Sequence, residues 1–235
     1  MVIRKKILDF VPSRDGFQFY NSFKVSYRFL GLKFMTISKT FGFCGGMCYA
    51  ADDIWRTKNK SMWDDKKTPK QGTKKFNILK GRQLDSLKKF TWAKVYDWQS
   101  APDESHRLRK HSLGHRTKKE WPKVKKQLDG GKLATLCLIR VEGYTKNPSK
   151  NHQVLAYGYE YNTTSKWVKI FVYDPNKPNE DKGYVKFRLG QKNNKLSGIQ
   201  IQSNKIIKFK LFGKSVKGKD GVRMRGFFHI AYRKP

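Results

Sequence analysis

Three short strings carry side chains able to do covalent chemistry. In Phe41-Gly42-Phe43-Cys44-Gly45-Gly46-Met47-Cys48 a cysteine precedes a run with small and apolar residues at helical spacing: Met47, Ala50, Ala51 and Ile54. A thiol at a helix start faces unpaired backbone N–H groups and the positive end of the helix dipole, and both favour the nucleophilic thiolate. Asn151-His152-Gln153-Val154 brings a histidine into a strand-like run, and Val172-Tyr173-Asp174-Pro175 ends another such run on an aspartate. If those two runs are neighbouring antiparallel strands, His152 and Asp174 lie side by side at one sheet edge. An imidazole held by a carboxylate and facing a helix-start thiol is an arrangement for nucleophilic acyl transfer. Cys44 would attack a carbonyl, His152 would take and return the proton, and Asp174 would orient His152. Cys137 lies within the apolar run Leu133–Ile139 and reads as core.

The elements that must position these groups follow from periodicity. Residues 1–40 are aromatic and basic and read as a strand or loop wrap. A helix is expected from about Met47, an exposed lysine-rich loop over 57–72, and a helix over 76–98 that buries Phe76, Leu79, Leu84, Leu87 and Trp92. Another is expected over 117–128, with Thr117 as N-cap, Glu120 at its third position and Pro122 in its first turns. After Gly130-Gly131 the period changes. Runs at 133–143, 152–162 and 167–176, then Tyr184–Leu189, Gly198–Gln202, Lys205–Gly213 and Phe227–Pro235, read as strands, the second and third joined by a turn at Asn162–Ser165. Helices first and strands after predict an α+β fold, with the helices segregated to one side of a mostly antiparallel sheet. One domain over 1–235 is expected, with a wrap (1–40), a helical part (41–130) and a β-sheet part (131–235).

Composition bounds the setting. The chain of 235 residues has 52 Lys+Arg against 18 Asp+Glu, a net charge of +34, and 14% aromatic residues, which lets rings build a core from few positions. No run approaches the length of a membrane-spanning helix, and the basic N-terminus lacks the long apolar stretch of a signal peptide. Three cysteines make no disulfide framework, so the expected setting is the cytoplasm, or export without a recognisable signal peptide. The surplus charge attracts nucleic acid, acidic protein and anionic membrane in a salt-dependent way. Its lysine pairs are scattered along the chain (Lys66-Lys67, Lys74-Lys75, Lys125-Lys126), as on a solvated surface.

The order helix-start Cys, His-x-Val strand, then Asp-Pro resembles the papain-like superfamily, and within it the bacteriocin-leader (double-glycine) peptidases. Cys44-Gly45, His152-Gln153-Val154 with Gly158-Tyr159, and Val172–Pro175 match their segments. The chain is more similar still to a microbial group that combines Asn21–Phe23, Cys44–Met47, Glu120–Pro122, Asn151–Tyr159, Tyr173–Asn176 and Gly226–Phe228. The resemblance implies a papain-like fold and a thiol hydrolase acting on a peptide or protein, with Cys44, His152 and Asp174 as its triad and no cofactor or metal. Papain-type enzymes place the nucleophile second in a Cys-Gly-Ser-Cys-Trp string, which keeps Cys48 as the alternative. Helix-start electrostatics favours Cys44, because the amides around Cys48 are already hydrogen-bonded.

Two positions depart from those peptidases. Their oxyanion-binding Gln, six residues before the nucleophile, is here Ser38 (from Cys44) or Gly42 (from Cys48), which leaves Asn21 or Gln153 as candidate side-chain donors beside the Cys44 N–H. Phe43 stands where many of them have Asp. Elsewhere, His106, His111 and His115 lack the helical alignment and acidic neighbours of a metal site, and Gly213-Lys-Ser-Val-Lys-Gly-Lys-Asp-Gly221 lacks the phosphate-loop spacing. Two other functional classes stay open: a non-catalytic basic module binding nucleic acid, acidic protein or anionic membrane, and a secreted toxin or effector built on this fold.

Overall fold

The computed structural model describes residues 2–28, 36–58, 66–88, 90–103, 112–190, 197–211 and 214–235. In chain order it contains β1 (Ile3–Ile7), α1 (Pro12–Asp15), β2 (Phe23–Arg28), β3 (Thr36–Phe41), α2 (Cys44–Thr57), α3 (Lys74–Leu87), α4 (Phe90–Ser100) and α5 (Leu113–Asp129). Strands β4 (Ala134–Ile139), β5 (His152–Asn162), β6 (Trp167–Tyr173), β7 (Tyr184–Arg188), β8 (Ser197–Leu211), β9 (Lys214–Arg223) and β10 (Gly226–Ile230) follow. The fold is α+β. The main sheet runs β10-β4-β5-β6-β7-β8-β9, each pair antiparallel, so β4 to β9 form a meander and β10 returns beside β4. β2 and β3 pair separately as a hairpin.

The 11-residue β5 organises the sheet. Its first half, His152–Ala156, pairs with β4, and its second half, Gly158–Asn162, pairs with β1. The N-terminal segment is therefore part of the sheet as well as a wrap, and the sheet is not confined to residues after 131.

Alternation along β4 and β5 divides the core by face. Leu136, Leu138, Val154 and Ala156 pack with Trp121, Val124 and Leu128 of α5. On the other face Leu155 and Tyr157 pack with Met47, Cys48 and Ala51 of α2, and Cys137 and Ile139 pack with Val95 and Trp98 of α4. The helices therefore cover both faces, contrary to the one-sided expectation. The reason is the apolar stripe of α5, spaced 121, 124, 128, which takes a face of its own.

Three boundary expectations change. The 76–98 helix is two helices, because Lys88 is extended (φ −60°, ψ 150°), and the break rephases its faces. Phe76 and Leu79 are buried as expected, but Leu84 and Trp92 are exposed, while Arg82 is buried against Asp53 and Asp85. α5 starts four residues earlier than expected, capped by Ser112 Oγ on the His115 N–H. Thr117 instead accepts the Phe227 N–H, Glu120 accepts the His229 N–H, and Pro122 falls inside the helix. Gly198–Leu211, expected as two runs, lies within one strand, β8, and Lys214–Arg223 forms a further strand, β9.

Candidate active site

Helix α2 begins at Cys44 because its start is held from three directions. Phe43, the N-cap residue, stacks on Phe23 (centroids 4.5 Å apart) and meets Phe76 edge-on at 5.5 Å. Its N–H is accepted by Asn21 Oδ1 at 2.5 Å, and the Gly46 N–H by Gln83 Oε1 at 2.9 Å, so side chains from elsewhere satisfy donors that a helix start leaves open. Gly45 and Gly46 are required by close approach. A Cβ on Gly46 would strike the Leu79 carbonyl of α3, and one on Gly45 would strike Ser86 Oγ and the Gln153 carboxamide.

The sheet brings the other two groups. A 3-10 turn at Pro148–Lys150 leads into β5, whose first residue, His152, pairs with Leu138 of β4. Asp174 follows the last residue of β6, beside the start of β5. His152 Nε2 lies 2.6 Å from Asp174 Oδ1, and Asp174 also accepts the Asn176 N–H at 2.9 Å. The remaining ring nitrogen, Nδ1, is the one left for Cys44, which shares a cavity wall with His152 and whose thiol interacts with that ring. Asn21 Nδ2 donates to Asn176 Oδ1 at 2.9 Å, so one carboxamide ties the Asp174 turn to the start of α2. Cys44, His152 and Asp174 therefore come together from three distant segments.

Electrostatics separates the cysteines. Burial pushes the Cys44 thiol up, but the hydrogen bond and charge of His152, with the backbone N–H groups of Gln153 and Gly45, bring it below its ordinary value of 9.0. Burial would lower His152, yet Asp174 and Cys44 raise it to about 9. Burial likewise opposes the Asp174 charge, but His152, the Asn176 N–H and Arg140 hold its carboxyl below the ordinary carboxylate value. Cys48, fully buried one turn further along, is pushed well above the ordinary thiol range by burial and by the negative charges near it. Cys137 is raised too, chiefly by burial.

The two expected oxyanion donors stand elsewhere than expected. Both polar atoms of the Asn21 carboxamide hold backbone and Asn176, and Asn21 is not part of the cavity wall beside Cys44. Gln153 is on that wall, but its Nε2 turns to Ser86 Oγ (3.4 Å); it is its backbone N–H that reaches the Cys44 sulfur. The residue that sequence reasoning missed is Gln83. It lines the cavity with Cys44, and because its Oε1 must accept the Gly46 N–H, its Nε2 is fixed as the opposite end of the amide. No motif marks Gln83, since its relation to Cys44 exists only through α2–α3 packing. Ser38 Oγ lies 2.8 Å from Ser26 Oγ in the β2–β3 hairpin.

The cavity has a volume of about 330 Å³, and its apolar wall is Phe41, Phe43, Leu87, Trp92, Val95 and Cys137. Cys137 is thus both core and cavity wall. Among the described residues no three His, Cys, Asp or Glu side chains gather to hold a metal; His106 and His111 lie outside the described residues, and His115 is on α5. Among the described residues no helix is long and apolar enough to cross a membrane. Compared with protein-family models, curated proteins and solved structures, the chain matches none.

Proposed function

We propose that the protein is a papain-like thiol hydrolase or acyltransferase that uses Cys44, His152 and Asp174 on a peptide or amide. The observation that carries the reading is the 2.6 Å contact of His152 Nε2 with Asp174, with the same ring on one cavity wall with Cys44, whose thiol at a helix start it lowers. The reactive form of the pair is thiolate and imidazolium, which the lowering of the Cys44 thiol and the raising of His152 both favour. The Cys44 sulfur attacks the substrate carbonyl carbon, and the negative charge moves to the carbonyl oxygen. The Cys44 backbone N–H and Gln83 Nε2 are the donors suited to that oxyanion. As the oxyanion collapses, the C–N bond breaks, His152 gives its proton to the leaving amine, and a thioester remains on Cys44. Water, deprotonated by neutral His152, then releases the acid and regenerates the thiol; another amine in its place gives transfer.

Activity is expected to rise with pH on a limb below 9, as thiolate forms, and to fall again near 9, as the imidazolium loses its proton. The decisive test is covalent labelling by an iodoacetamide probe at pH 6, located by mass spectrometry. Cys44→Ala is expected to abolish labelling and Cys48→Ala to leave it in place; the reverse pattern would reassign the nucleophile.

The net charge of +34 supports a second, separable activity, salt-dependent attraction of polyanions to the exterior. Binding to RNA or anionic vesicles that survives Cys44→Ala and vanishes at high salt would support it.

A further inference from the structure

The walls of the cavity name a substrate class, an inference that rests on the thiol reading above. Charged residues make up 30% of the chain, yet among the described residues the wall around Cys44 contains no Asp, Glu, Lys or Arg. Of its polar side chains, Gln83 gives its Oε1 to the Gly46 N–H and Asn151 gives its Oδ1 to the Arg140 and Val141 N–H groups; Ser149, His152 and Gln153 are the others. Apart from these and the Cys44 thiol, the wall is ring and aliphatic surface: Phe41, Phe43, Leu87, Trp92, Val95 and Pro148, with Cys137. Two of those side chains, Phe41 and Trp92, are 39% and 40% exposed, so large apolar groups stand open to solvent at the cavity while most others of the chain are buried. Exposed apolar surface around a concave site marks an apolar ligand. The volume, about 330 Å³, is at the small end for ligand pockets, enough for one large side chain and its flanking backbone rather than an extended polymer.

We infer that the cavity receives the acyl-side residue of the substrate and selects an uncharged, bulky apolar or aromatic side chain there. A carboxylate or ammonium entering it would lose water and meet, beyond the Cys44–His152 pair engaged in the reaction, no counter-charge on the wall. The selection therefore runs against the polyanion attraction of the exterior: the lysine-rich surface gathers acidic molecules, and the site excludes acidic side chains.

Activated esters test this without knowledge of the natural substrate. With the full chain and p-nitrophenyl esters of N-acetyl-Phe, -Leu, -Asp and -Lys, Cys44 attacks the ester carbonyl, p-nitrophenolate leaves, and a thioester forms that water hydrolyses. kcat/KM for the Phe and Leu esters is expected to exceed that for the Asp and Lys esters by about tenfold or more. Trp92→Asp, at an exposed position where the fold is not at risk, is expected to collapse that ratio. Equal or faster turnover of the Asp or Lys ester would overturn the inference, as would a ratio unchanged in Trp92→Asp. Iodoacetamide modification of Cys44 separates the two failures. If the sulfur is modified but the esters are not discriminated, only the substrate class falls; if it is not modified, the thiol reading itself falls.

Discussion

The start and the interior of helix α2 treat negative charge in opposite ways. At its start Cys44 is lowered; one turn on, Cys48 is pushed far up, and another turn on Asp52 is raised to about 6. In all three, burial opposes the charge. At the start of the helix, His152 and the backbone N–H groups of Gln153 and Gly45 outweigh it. Asp52 has Arg56 at 2.6 Å, yet burial still prevails over that partner. The difference teaches that a position on a helix does not make a nucleophile. An adjoining cation together with open amides does, and along α2 the two coincide where the helix meets the head of β5.

Removing the cation should break the contrast most severely. His152→Ala is expected to return the Cys44 thiol to or above the ordinary range and to cut alkylation at pH 6 by about tenfold or more. Undiminished alkylation would mean that the helix start alone holds the thiolate.

A smaller effect separates two duties of Gln83. In Gln83→Glu an oxygen remains to accept the Gly46 N–H, but the N–H donor is gone. An ester kcat lowered about 10²-fold with KM little changed would identify an oxyanion donor. Unaltered kcat would reduce Gln83 to a cap.

Further along the helix the effect is on stability alone. Asp52 is raised from 3.8 to about 6, so its favourable contribution is complete below pH 3.8 and is lost as the pH climbs through 6. Asp52→Asn removes that loss, and its stability relative to wild type is expected to be about 1–3 kcal/mol better at pH 8 than at pH 4 by denaturant unfolding. A pH-independent difference would place the Asp52 carboxyl in water.

Much of this arrangement was legible in the residues. Small side chains after Cys44, the apolar runs of β4 to β6 and the Asp-Pro stop carry local signals, and the α+β order follows from them. The face taken by α5 was not legible, because a stripe such as Trp121, Val124 and Leu128 says that a helix is covered but not by what. Leu84 and Trp92 were assigned to a core for the same reason. The extended Lys88 between α3 and α4 leaves no strong mark in Ser-Leu-Lys-Lys-Phe and puts Trp92 on a separate helix, while Leu84 lies off the buried Phe76–Leu79–Ser86 face of α3 itself. Within the site, the types and order of Cys44, His152 and Asp174 were visible. The engagements of Asn21, Gln153 and Gln83 were not, since they depend on which backbone N–H groups a distant helix start leaves open.

The claim on which the rest depends is that the Cys44 sulfur is ionised by its contact with His152. It is tested most directly by the rate of iodoacetamide alkylation at Cys44 against pH, read by mass spectrometry of the Cys44 peptide. A half-maximal rate below 9, moving up in His152→Ala, is the expected result. A midpoint at or above 9 that His152→Ala leaves in place would contradict it.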